Sequence, residues 1–195
     1  MLDVHTESSQ FTDLLSHFDR DLAKQCRAQG CPHCEGRLHL ARYRRKPRGG
    51  GAQLSEDCCW RFSFCCAEEA CRTRTTPPSL LFLGRRVYLG AIVALSVCMQ
   101  QGLSDRRMAA LNLVLEVPRR TLKRWRLWWQ EVFVHTTFWQ IARARLMPPV
   151  DELRLPLSLF ERFAETDFGH QLMRLLNFIS PLSTRASTST LFEQR

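Results

Sequence analysis

The sequence predicts a mainly α-helical protein with one small β module. Two observations lead to this fold class. Apolar residues recur at helical spacing along most of the 195-residue chain. Between residues 31 and 78 that spacing disappears, and short alternating segments stand between turn residues such as Pro47, Gly49 and Gly50. We therefore expect helices on either side of a compact β module.

Residues 1–30 are expected to form an amphipathic helix. Apolar residues fall on one helical face at spacings of i, i+3, i+4, i+7 and i+11, namely Phe11, Leu14, Leu15, Phe18 and Leu22. Ser8 or Ser9 can cap the start of this helix, and Gly30 can end it.

The β module, residues 31–78, contains seven of the nine cysteines of the chain. Cys31 and Cys34 form a C-x2-C knuckle, a tight turn in which backbone amides can point at both sulfurs. Tetrahedral zinc needs four ligands, and two such knuckles supply them. Cys71 is the clearest ligand of the second knuckle, and its partner is either Cys66 or Cys65.

Strand alternation favours Cys66 over Cys65. Phe62, Phe64 and Cys66 share one face of a strand, and the phenylalanines are expected to face the small core beside the metal. The sequence thus predicts a zinc ribbon that holds one structural Zn²⁺ on Cys31, Cys34, Cys66 and Cys71. Four other residues are alternative ligands: Cys58, Cys59, His33 and His39.

The net charge of +9 is concentrated in the middle of the chain. Residues 1–36 carry a net charge of −3, residues 37–126 carry +12, and residues 127–195 are neutral. An excess of cations in one block indicates an anionic partner, most simply nucleic acid. Within the β module, the cations expected to contact DNA phosphates are Arg42, Arg44, Arg45, Lys46, Arg48, Arg72 and Arg74.

Residues 79–134 are expected to form a helix-turn-helix. A first apolar helix leads to a link at residues 112–117, and Pro118 then takes the first position of a second helix, where its missing N–H costs nothing. Trp125 and Trp129 lie on the apolar side of that second helix. The opposite side is basic, as in a recognition helix that meets base edges in the major groove. The residues expected to contact DNA there are Arg119, Arg120, Thr121, Lys123 and Arg124.

The neutral C-terminal third is expected to be helical. Residues 135–182 carry many large apolar side chains, which can pack back on the central helices or leave a face for a homodimer or a catalytic partner. Residues 183–190 are a low-complexity run, so we expect residues 183–195 to be a flexible tail.

No segment of the sequence predicts export or membrane insertion. The first 30 residues are acidic and lack the apolar core of a signal peptide. The longest apolar run, residues 87–99, is shorter than the ~20 residues needed to span a bilayer. An odd number of cysteines without an export signal favours metal-binding thiolates over disulfides. We expect a cytoplasmic bacterial protein associated with the nucleoid.

No catalytic constellation is recognisable either. The acidic residues after residue 130 are scattered over expected helices, and no phosphate-cradling glycine loop or metal-hydrolase helix occurs. The sequence therefore predicts a protein that is not an enzyme. An alternative interpretation, a small nucleic-acid enzyme, would use Tyr43, which lies among arginines.

The order of these features resembles a known group of proteins. After the cysteine ribbon come Arg-Thr-Arg-Thr-Thr-Pro-Pro at residues 72–78 and a helix containing Arg-Thr-Leu-Lys-Arg-Trp at residues 120–125. Residues 31–130 thus resemble the zinc-ribbon and helix-turn-helix regions of bacterial insertion-sequence transposases and their small accessory proteins. The resemblance implies binding to double-stranded DNA at a mobile-element site, beside a separate transposase or recombinase. A transcriptional regulator of the same architecture is the alternative.

Overall fold

A computed structural model describes residues 4–45, 56–83, 90, 119–164 and 168–184. Within these ranges the chain is mainly helical and contains a small amount of antiparallel β-structure. The mainly α fold class with a small β module is therefore confirmed. In the expected helix-turn-helix, nearly all of the helix that precedes the link, and the link itself, lie outside the described residues. Lys46, Arg48 and everything beyond residue 184 also lie outside them.

The first helix, α1, spans Val4–Gln29 and begins earlier than either serine cap expected from the sequence. Gly30 ends it as expected, with a φ of 79° that side chains rarely adopt. A Cβ at Gly30 would lie only 2.8 Å from the carbonyl oxygen of Glu35, so the position also needs the space that glycine leaves.

The buried face of α1 is rotated from the expected one. Leu15 is fully buried, but Leu14 and Phe18 are 45% and 41% exposed, and Ser16 and Asp19 are buried beside Leu15 instead. A polar residue can be buried at low cost when its hydrogen bonds are made. Asp19 meets this condition, because it accepts hydrogen bonds from the hydroxyl of Ser79 and from the backbone N–H of Leu80.

The described residues of the β module, 31–45 and 56–78, contain five short strands: β1 (Leu38–Leu40), β2 (Tyr43–Arg44), β3 (Trp60–Arg61), β4 (Phe64–Cys66) and β5 (Arg74–Thr75). Strands β1, β4 and β5 form an antiparallel sheet with β4 in the centre, in which Leu38 lies opposite Cys66. Strands β2 and β3 pair separately, with Tyr43 opposite Arg61. A 3₁₀ turn, Glu56–Cys59, leads into β3.

Four further helices follow in the described part of the chain: α2 (Arg119–Leu127), α3 (Thr137–Arg143), α4 (Leu157–Arg162) and α5 (Phe168–Ile179). A single π-helical turn, Trp128–Val132, extends α2. The wider turn changes the direction of successive side chains, and both Trp128 and Trp129 are buried.

The main hydrophobic core contains residues of the N-terminal helix α1 and of the C-terminal third. The ring of Trp129 lies 4.6 Å from that of Phe133, which in turn lies 5.0 Å from Trp139, measured between ring centres. Leu15 of α1 and the segment 80–83 pack into the same cluster, together with leucines of α4 and α5. The C-terminal third therefore packs against the rest of the protein, one of the two roles expected for it.

Two buried residues of opposite charge lie between α1 and the β module. Arg61 is 4% exposed and donates to the carbonyl oxygen of Pro77 over 2.7 Å. Burial raises the pKa of Asp19, and the hydrogen bonds from Ser79 and Leu80 and the charge of Arg61 oppose that rise. The two charges therefore act on each other through a region of low dielectric, and each side chain is held by hydrogen bonds to the segment 77–80.

Candidate metal centre

The first cysteine knuckle follows directly from the end of α1. The backbone N–H of Cys31 donates to the carbonyl oxygen of Gly36 over 2.9 Å, and the N–H of Glu35 donates to Cys31 over 2.8 Å. Glu35 takes a left-handed φ of 58° and closes the turn. The turn thereby brings the side chains of Cys31 and Cys34 together.

The second knuckle begins where β4 ends, at Cys66. The N–H groups of Cys71 and Arg72 both donate to the carbonyl oxygen of Glu68, over 3.0 and 2.9 Å. Arg72, like Glu35, directly follows the second cysteine of its knuckle and has a left-handed φ, here of 44°. Both knuckles thus have a left-handed residue directly after their second cysteine, although four residues lie between Cys66 and Cys71 and only two between Cys31 and Cys34.

The four cysteine sulfurs form one cluster, in which all lie within 4.8 Å of one another. The Sγ atoms of Cys31 and Cys71 are 3.7 Å apart, and those of Cys34 and Cys66 are 3.4 Å apart. In a tetrahedral zinc site with Zn–S bonds of ~2.3 Å, neighbouring sulfurs lie about 3.8 Å apart. The spacing of the sulfurs therefore fits a metal ion, and the cluster can hold one.

Backbone amides and a hydroxyl surround the sulfurs. The amides of Gly36, Glu68 and Thr73 donate to Cys34, Cys66 and Cys71, each from two positions further along the chain. The hydroxyl of Thr73 also contacts the Cys71 sulfur at 3.2 Å. Such donors stabilise thiolates and orient metal-binding sulfurs.

The thiol pKa values differ sharply within the cluster. Hydrogen bonds from the side chain and backbone of Thr73 lower the pKa of Cys71 to about 6. At Cys34 the amide of Gly36 lowers the pKa, but the neighbouring thiols of Cys66 and Cys71 outweigh it and raise the pKa to about 12. Four thiols at this distance compete for protons, and a cation among them removes that competition.

The other candidate ligands lie outside the cluster. Cys65 points to the opposite side of β4, with its sulfur 3.7 Å from the carbonyl oxygen of Arg72. Cys58 is buried against Ser16 of α1, with the two side-chain atoms 3.8 Å apart. His39 lies opposite Cys65 in the sheet, and His33 is exposed between the two cysteines of the first knuckle. Neither histidine belongs to the group of possible ligands in the described chain.

Three cations of the expected DNA-contacting loop have partners within the protein. The guanidinium of Arg42 lies 4.7 Å from the centre of the Trp60 ring, and that of Arg45 lies 4.5 Å from the Tyr43 ring. Arg44 pairs with Glu56 at 3.5 Å, and both side chains are exposed. The arginines of residues 42–45 therefore each contact a ring or a carboxylate of the protein.

The remaining cations expected to contact DNA are exposed on two elements. Arg72 and Arg74 lie at the second knuckle and on β5. On α2, Arg120, Lys123 and Arg124 are exposed, Thr121 is half-buried, and Trp125 on the opposite side is buried. The basic and apolar sides expected for this helix are therefore present, while the side chain of Arg119 lies outside what the structure describes.

One group of cations was not predicted from the sequence. Arg20, Lys24 and Arg27 of α1 border a cavity beside the β module, together with Arg42. Because the net charge of the first 36 residues is negative, the charge of that segment gave no indication of these three cations. Their spacing of i, i+4 and i+7, which places them on one helical face, was the signal available.

Comparisons with known proteins give no relatives: no family model, no curated protein and no solved structure matches the chain. In the described part of the chain, no helix combines the length and the apolar character needed to cross a membrane.

Proposed function

We propose that Cys31, Cys34, Cys66 and Cys71 hold one structural Zn²⁺. The all-sulfur ligand set, the sulfur spacing and the amide donors support this assignment. Four protein ligands fill a tetrahedral site and leave no position for a substrate, so the metal stabilises the fold. It joins the end of α1, strand β4 and the turn before β5, beside a small apolar cluster that includes Leu38 and Phe64.

The protein, in this proposal, binds double-stranded DNA through α2. The observation that carries it is the division of this helix, with Arg120, Lys123 and Arg124 exposed and Trp125 buried against the core. A helix anchored on one side and cationic on the other can enter the major groove, where arginine recognises guanine through two parallel hydrogen bonds.

The β module supplies contacts to the phosphate backbone. Arg72 and Arg74 are exposed beside the metal centre, and the side chain of Arg44 takes part in a solvent-exposed ion pair, which contributes little to stability. A DNA phosphate can readily replace Glu56, the partner of Arg44 in this ion pair. These cations set affinity and register, and the residues of α2 select the sequence.

The biological role that we propose is that of an accessory protein of a mobile element, which positions a separate transposase or recombinase on its DNA site. This step rests on the resemblance of residues 31–130 to insertion-sequence proteins. The genes beside the coding sequence test it: a transposase or recombinase gene supports the role, and an operon without one favours a transcriptional regulator.

Substitutions on α2 test the DNA-binding proposal. A preferred duplex is first selected from a random pool with the zinc-loaded protein, and its affinity is then measured by fluorescence anisotropy. Arg120→Ala and Arg124→Ala should each cost about 1–3 kcal/mol on that duplex and less on an unrelated one.

Arg145→Ala is the matched control, because it removes one exposed arginine from a turn that belongs neither to α2 nor to the β module. Unchanged affinity in both α2 variants would exclude this helix as the recognition element. Failure of the pool to yield any enriched duplex would refute sequence-specific DNA binding as a whole.

A further inference from the structure

A cavity of about 340 Å³ lies between α1 and the strands of the β module. It is separate from the cysteine cluster and from the exposed side of α2. Its volume falls at the lower end of the range for small-molecule sites. Its chemistry is divided between an aromatic floor and a cationic border, and neither is used in the function proposed above.

The floor consists of rings from alternate residues along the segment 60–64, which contains β3, the link of residues 62–63 and the start of β4. Trp60, Phe62 and Phe64 are two positions apart, so their side chains point to the same face of the strands, and all three line the cavity. Arg61 and Ser63, between them, are buried on the other face. Trp60 and Phe62 are half-buried, which leaves part of each ring to a ligand.

The border consists of four cations from two elements. Arg20, Lys24 and Arg27 lie along one face of α1, and Arg42 reaches the same cavity from the chain between β1 and β2. The guanidinium of Arg42 lies over Trp60, so that a flat cation and an aromatic ring are already stacked there.

The charges around the cavity are unbalanced in favour of the cations. Two carboxylates also line it, those of Asp19 and Asp57. Asp19 is buried and accepts hydrogen bonds from the segment 79–80, and Asp57 lies 3.4 Å from Arg20. Lys24 pairs with Asp21 over 2.9 Å. The positive charge that favours an anion at the border, next to a flat apolar surface, is therefore chiefly that of Arg27 and Arg42.

We propose that this cavity binds an unpaired nucleobase together with its phosphate. Aromatic rings that stack on bases and cations that follow the phosphates are the two parts of single-strand binding sites. The bases of duplex DNA cannot stack on the floor, because their faces are already stacked on one another.

The first test measures binding of a labelled oligothymidylate of about 12 nucleotides, by anisotropy, to the full-length zinc-loaded protein. Trp60→Leu should weaken binding about tenfold or more, whereas Trp60→Phe, which keeps a ring, should retain most of the affinity. Arg27→Ala should weaken binding and reduce the slope of log K against log salt by about 0.7, because one phosphate is no longer neutralised.

Arg145→Ala again serves as the control of equal charge and should bind as the wild type does. Because Trp60→Leu changes a half-buried residue, the exposed Arg27→Ala variant provides a test that does not depend on the packing of the module. Oligothymidylate affinity that is unchanged in both Trp60→Leu and Arg27→Ala would overturn the proposal. Absence of oligothymidylate binding to the wild type, with an acidic aromatic peptide binding instead, would also overturn it.

Photocrosslinking locates the base directly. Irradiation of the oligothymidylate complex, followed by peptide mapping, should place the adduct in residues 56–64, and an adduct confined to other segments would contradict the proposal.

Competition with thymidine monophosphate identifies the source of the ligand. Full competition at the same nucleotide concentration indicates a site for free nucleotides, and weak competition indicates a site for a strand.

Discussion

Gly36 lies in the metal centre with too little space around it for a side chain. A Cβ at this position would lie 2.6 Å from Cγ of Glu68, and 3.2 and 3.3 Å from the sulfurs of Cys66 and Cys34. The side chain of Glu68 is exposed and can move aside, but sulfurs bound to a metal cannot. The glycine also supplies the amide that donates to Cys34.

We therefore expect Gly36→Ala to weaken zinc binding by about tenfold or more, as changes to residues that support metal ligands do. Competition with a chromophoric chelator measures the effect. Glu68→Ala is the matched control and should bind zinc normally, because alanine keeps both the amide and the carbonyl group of residue 68. Equal zinc affinity in Gly36→Ala and the wild type would show that the knuckle tolerates a wider turn.

Single residues also mark where sequence reasoning succeeded and failed. Strand alternation correctly predicted that Cys66 and not Cys65 lies beside the other three cysteines, because neighbouring residues on a strand point to opposite faces. The left-handed conformations of Glu35 and Arg72 gave no signal, since neither residue type favours that region and the surrounding turns impose it.

At the scale of elements, the sequence predicted the existence of helices better than their buried faces. The apolar period of α1 was clear, yet Asp19 turned inward because the segment 79–80 offered it two hydrogen-bond donors. A partner 60 residues away is invisible to a local pattern. The π-helical turn at Trp128–Val132 was not predicted for a similar reason, since the burial of both tryptophans depends on packing in the core and not on the local pattern.

The loop that contains Arg44 and Arg45 should contribute affinity without sequence preference. Both side chains have weak partners in the free protein, an exposed carboxylate and the Tyr43 ring, which phosphates can replace. In the double variant Arg44→Ala/Arg45→Ala, binding to every duplex should weaken similarly, and the salt slope should become shallower by about 1 for each phosphate that is no longer neutralised. Weaker binding to the selected duplex alone would indicate base recognition by this loop.

At the scale of the whole molecule, two clusters of very different size hold the chain together. The larger one unites α1, the segment 80–83 and helices α2 to α5 around Trp129, Phe133 and Trp139. The smaller one, which includes Leu38 and Phe64, contains two of the four clustered cysteines. The sequence predicted the small β module and its four clustered cysteines, but not that α1 and the C-terminal third share one core, because such contacts leave no mark in local periodicity.

Removal of the metal should therefore affect the two parts unequally. After treatment with a chelator, amides of the strands around the knuckles, such as those of Leu38 and Cys66, should lose protection against hydrogen exchange. Amides of α5 should keep most of their protection, since the larger cluster does not contain the clustered cysteines. Equal loss of protection in both regions would mean that the metal holds the entire fold.

The metal content of the natively purified protein tests the central claim most directly. Elemental analysis should find one zinc per chain in the wild type and in Cys65→Ser, whose sulfur lies outside the cluster. Cys66→Ser should contain little or none, because a site with one thiolate missing binds zinc far more weakly. Zinc-free wild-type protein, or equal zinc content in the two cysteine variants, would contradict the account.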